Sequence, residues 1–115
     1  MKMTFRNVAR RAIFAATAMA LLGVTGAAPA APAQSYAITM ANMSYGQIPN
    51  GVKVGDTILW VNRDTVLHTA TARDHSFDLR IAPGKTARLV VQKSGNIAFY
   101  CIFHAAMRGT LTVIP

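Results

Sequence analysis

The sequence predicts one small all-β domain, a sandwich or barrel, placed after an N-terminal export signal. Three observations carry that reading. The chain has 115 residues, enough for a single domain. Beyond residue 34, short β-branched and aromatic runs recur at roughly eight-to-twelve-residue spacing, with turn residues between them. In the same stretch no window shows the apolar period of an amphipathic helix.

The elements follow in order. Residues 1–11 hold Lys2, Arg6, Arg10 and Arg11 and no acid, residues 12–24 are an apolar core, and residues 27–33 are Ala and Pro alone. That order is a secretory signal peptide over residues 1–33, cleaved near Ala30 or Ala33. The apolar core is shorter than the about 20 residues a spanning helix needs, which argues against a membrane anchor and against stable membrane insertion after cleavage. Arg10-Arg11 is also the core of a twin-arginine signal, whose flanking consensus this segment does not match. Export carries the mature domain, residues 34–115, out of the cytoplasm. There residues 35–40 alternate and are rich in strand formers. Pro49-Asn50-Gly51 is a turn signal. Residues 57–62 are a β-branched and aromatic run around Trp60, and residues 67–71 read as a short strand. Ile81 leads into the Pro83-Gly84 turn. Ala87, Leu89 and Val91 share one face of the next strand. Ser94-Gly95-Asn96 turns the chain again. Ile97, Phe99 and Cys101 then share a face, and Leu111 and Val113 alternate in the last strand.

Composition narrows the function. The chain is 52% hydrophobic and 14% charged, which excludes disorder. Its formal charge is +8, but the signal holds four of the positive residues, so the mature domain carries +4. No dense basic stripe with interleaved aromatics is present, so nucleic acid is not an expected partner. A single cysteine rules out an internal disulfide and any multi-cysteine metal site. A domain this small often needs extra stabilisation, and a bound metal is the common answer where disulfides are missing. No carboxylate pair, serine triad or open three-histidine site appears, so an enzyme is not expected.

One cluster carries chemistry. Cys101, His104 and Met107 form a C-x2-H-x2-M motif at the end of a strand, and His68 opens an earlier one. Singly, such residues are more often core or structural. Two imidazoles, a thiolate and a thioether in an exported chain together make the ligand set of a blue-copper centre. Zinc is the competing metal, but it has little use for methionine. His75, among polar residues, reads as a surface residue. Met40 and Met43 could capture Cu(I) through thioethers; the simpler reading puts one in the core and one at the surface.

These residues resemble the cupredoxins, and among them the amicyanins. The resemblance rests on residues 52–57 (Val-Lys-Val-Gly-Asp-Thr), Trp60 to Asp64, His68, Phe99 to Cys101, and His104 to Gly109, with two residues between Cys and His and two between His and Met. It implies a cupredoxin-like Greek-key β-sandwich of about eight strands. It also implies one type 1 copper held by His68, Cys101, His104 and Met107, and one-electron transfer in the periplasm. Implied partners are redox proteins, an amine dehydrogenase and a c-type cytochrome among them, with the carrier a monomer. A copper-binding carrier that buffers or delivers the metal is the alternative. The chain departs from the amicyanin pattern at Ile102-Phe103, at Ala105-Ala106, and at Thr69, where the family has asparagine. Two loop prolines are thereby lost, which frees φ in the ligand loop. Thr69 is expected to offer a hydroxyl in place of the amide.

Overall fold

The computed structural model describes residues 15–20, 23, 26 and 31–115. The charged end of the expected signal, within residues 1–14, and the stretch 27–30 lie outside the described residues. Among the described residues no helix is long and apolar enough to cross a membrane. The described residues form nine strands: β1 (Ser35–Ala41), β2 (Ser44–Tyr45), β3 (Val52–Lys53), β4 (Thr57–Asn62), β5 (His68–Ala72), β6 (Asp78–Ile81), β7 (Thr86–Val90), β8 (Gly95–Cys101) and β9 (His104–Ile114). They make two facing sheets, in the orders β2-β1-β4-β7 and β3-β9-β8-β5-β6. The pairs β1/β4 and β3/β9 are parallel; the other neighbours are antiparallel. The expected sandwich is present, with β2, β3 and β6 as strands the sequence pattern does not announce.

The alternating faces meet in the core. Ile38, Met40, Ile58, Trp60, Phe99 and Leu111 are fully buried. Tyr45, Trp60 and Phe99 pack edge to face, with centroids 4.9–5.9 Å apart, a geometry that suits aromatic quadrupoles. Gly109 makes that packing possible, because a Cβ there would lie 2.6 Å from Phe99 Cζ.

Two hairpins shape the metal end. Ala41 pairs with Ser44, so Asn42 and Met43 form a two-residue turn, with φ of 52° and 59°. That left-handed pair matches the twist of the strands and suits Asn better than Met. Asp64 holds it by accepting the Asn42 N–H at 2.7 Å and the Met43 N–H at 3.0 Å. In the second hairpin Tyr100 pairs with Arg108, but Cys101 pairs with His104. Residues 105–107 therefore leave the register and bulge. The expected ligand loop is this bulge together with the two-residue turn Ile102-Phe103.

Candidate metal centre

The centre forms where the loop after β4, the start of β5 and the β8–β9 turn meet. Asn62 builds the loop. Its Nδ2 donates to the carbonyls of Val66 at 2.8 Å and Ile81 at 2.9 Å, and its Oδ1 accepts the Asp64 N–H at 2.9 Å. Asp64 thereby reaches His68, whose Nε2 lies 2.7 Å from its Oδ2. A carboxylate only accepts, so the imidazole proton sits on Nε2 and Nδ1 keeps its lone pair. Such a contact fixes ring orientation and strengthens the ligand. The Met43 N–H, then the His68 imidazole and the Asn42 N–H, hold the Asp64 carboxyl below its ordinary range against desolvation.

Cys101 ends β8 and is fully buried. Its Sγ accepts the Thr69 N–H at 3.3 Å and lies 3.9 Å from His68 Nδ1 and 3.5 Å from His104 Nδ1. Burial pushes the thiol up. The N–H groups of Thr69 and Phe103, and then the His104 ring, outweigh it and bring the thiol from 9.0 down to about 6. The thiolate, the metal-binding form, is thus favoured. His104 is half-buried, and its ring stands at 72° to that of His68. Tyr45 donates its hydroxyl to the Thr69 carbonyl, and burial pushes that phenol up, keeping it a donor.

The sequence motif therefore converges. His68, Cys101 and His104 each offer a ligand atom, all within 4.8 Å of one another. Metal bonds of about 2.0–2.3 Å in a trigonal plane place donors about 3.5–3.8 Å apart, and the two sulfur–nitrogen separations, 3.9 and 3.5 Å, lie close to that. Met107 follows on β9 and is buried at 2% exposure. Met40 is fully buried and Met43 is 45% exposed, so they do not make an exposed thioether pair. His75 lies at the surface. Two residues escape a reading by ligand type, because neither binds metal. Asp64 was visible only as the acid of a motif, and Tyr45 gave no signal.

Comparison with known proteins agrees with this geometry. A family model, the Cupredoxin-like domain, matches residues 12–113. No curated protein matches the chain. Among solved structures, the chain is similar to the reduced Cu(I) form, at pH 4, of a proline-to-glycine variant of amicyanin, with 27% identity and a TM-score of 0.60. It is also similar to the reduced state of a proline-to-phenylalanine variant of amicyanin, with 27% identity and a TM-score of 0.59. Each alignment covers 70% of this chain and 82% of the other.

Proposed function

The chain belongs to the family of cupredoxin-like domains, and we propose that it is a type 1 copper protein carrying single electrons between redox partners. The observation that carries this reading is the triangle of His68 Nδ1, Cys101 Sγ and His104 Nδ1, with His68 and Cys101 buried and His104 half-buried. Met107, buried on β9, would complete the donor set with a thioether, a ligand that suits copper better than zinc. Copper, when bound, supplies the Cu(II)/Cu(I) couple. The chain's own residues do the rest. Asp64 orients His68, the Thr69 N–H steadies the thiolate, and β5 and β8 hold both ligands in a packed sandwich that resists rearrangement.

Electrons leave by His104, the ligand nearest solvent. Around it Ile102 is 39% and Phe103 50% exposed, and Ala105 and Ala106 are exposed too. An apolar patch of this kind suits brief docking of a redox protein, an amine dehydrogenase or a c-type cytochrome being the classes that fit. A mature charge of +4, with residues 1–33 removed as a signal peptide, favours acidic partners. The carrier then works in the periplasm as a monomer.

The test is titration of residues 34–115 with Cu(II), followed by visible absorption. One equivalent should develop an intense blue thiolate-to-copper band, and Cys101→Ala should abolish it while the sandwich stays folded. A colourless wild-type complex, or a blue Cys101→Ala protein, overturns the proposal.

A further inference from the structure

Thr69 has all its polar atoms committed. Its N–H donates to Cys101 Sγ, its carbonyl accepts from Tyr45, and its Oγ1 accepts the Ile102 N–H at 3.0 Å. The same Oγ1 lies 2.9 Å from Thr71 Oγ1, which in turn lies 2.8 Å from Asp78 Oδ1. Thr69 and Thr71 project from one face of β5, two residues apart. Asp78 sits on β6 directly across from Thr71.

Proton counting gives this line a direction. Thr71 has one hydroxyl proton and two neighbours within reach of it. The Asp78 carboxylate can only accept, so the Thr71 proton goes there. Thr69 must then donate to Thr71, which leaves its lone pairs for the Ile102 N–H. The chain runs one way, from the Ile102 N–H through both hydroxyls to the exposed Asp78.

We propose that Thr71 and Asp78 are positioning residues for the cysteine ligand. They lock the Thr69 hydroxyl as the acceptor for Ile102, and so fix the peptide that links Cys101 to the hairpin turn. The physical need follows from the hydroxyl at position 69, which is buried. A hydroxyl has a proton to place, and a buried hydroxyl without an acceptor is costly. Thr71 takes that proton, and Asp78 takes the next. Neither residue touches a ligand; both act through Thr69. The effect on copper rests on the function proposed above, whereas the relay itself is a property of the protein without metal.

The test uses Thr71→Val, Thr71→Ser and Asp78→Ala in the chain of residues 34–115. Amide hydrogen exchange of Ile102 is measured without metal, and the blue band and reduction potential with copper. Loss of one hydrogen bond's worth of support should speed Ile102 exchange about threefold to tenfold in Thr71→Val. Asp78→Ala should do so by a smaller factor. Thr71→Ser should restore protection. Amides of Ile97 and Leu111, in the same sheet, should keep wild-type rates. With copper, Thr71→Val should shift the band and the potential, and Thr71→Ser should return both. Should Thr71→Val fail to fold, Asp78→Ala, a surface change, decides alone. Unchanged Ile102 exchange, or a uniform rise that includes Ile97 and Leu111, overturns the proposal. A wild-type protein that never turns blue overturns the copper reading and leaves the exchange result standing.

Discussion

Asp56 and Asp64 bracket β4, and at opposite ends of the domain they do the same structural work. Asp56 accepts the Gln34 N–H and the Lys53 N–H, both at 2.8 Å, and so ties down the entry to β1. Asp64 accepts the Asn42 and Met43 N–H groups and ties down the exit from β1. Each pins one end of the parallel β1/β4 pair. The difference is one further contact, since Asp64 also holds the His68 ring. A device that merely closes the sandwich at one end serves ligand geometry at the other. The metal end is thus preorganised by the same hydrogen bonds that fold it.

The strongest way to break the comparison is to remove each carboxylate. Asp64→Ala and Asp56→Ala should both lower the melting temperature, because each orphans two backbone donors. Only Asp64→Ala should weaken copper binding, by about 10–100-fold, the usual cost of losing a histidine's hydrogen-bond partner. Competition titration against a chelator measures it. Equal copper affinity in the two variants would show that His68 needs no clamp.

A core substitution between the two ends sharpens the contrast. Gly109→Ala puts a methyl group 2.6 Å from the Phe99 ring and should cost about 1–3 kcal/mol through overpacking. Denaturant unfolding of the metal-free protein reads it directly. Copper affinity should change less than in Asp64→Ala, since no ligand contact is lost. A variant as stable as wild type would mean that the ring moves aside freely.

How legible all this was in the sequence depends on the length scale of each feature. His68, Cys101, His104 and Met107 stood out because their donor types have few other uses together at that spacing. β4 and β8 were legible because their alternation runs over six and seven residues. β2 and β3 have two residues each, too few to show a period. β6 shows burial only at Ile81 and partial burial at Leu79, so a sequence reading sees a turn approach there. Thr69 was expected to offer a hydroxyl, but where that hydroxyl points depends on the β5/β6 register. Asp64 illustrates the same limit. Its contact with His68 exists because Asn62 folds the intervening loop, and that is a tertiary fact.

The smallest predicted effect concerns acid, and it tests whether the two carboxylates are equivalent as structural devices. The Gln34 and then Lys53 N–H groups hold the Asp56 carboxyl below its ordinary range, as the Met43 N–H chiefly does for Asp64. In the unfolded chain an aspartate titrates near about 3.9. A carboxyl depressed in the fold contributes stability that is complete above that value and is lost as pH falls through the lower, folded one. Asparagine cannot reproduce this, since its Nδ2 would face a second N–H donor. Asp56→Asn and Asp64→Asn should therefore melt below wild type at pH about 6, and each gap should narrow as pH falls below about 4. Melting the metal-free protein keeps copper out of the comparison. A gap at Asp56 that stays constant down to low pH would mean its two N–H contacts do not depend on charge. A gap that closes at Asp56 but not at Asp64 would mean that the two ends of β4 are held by different physics after all.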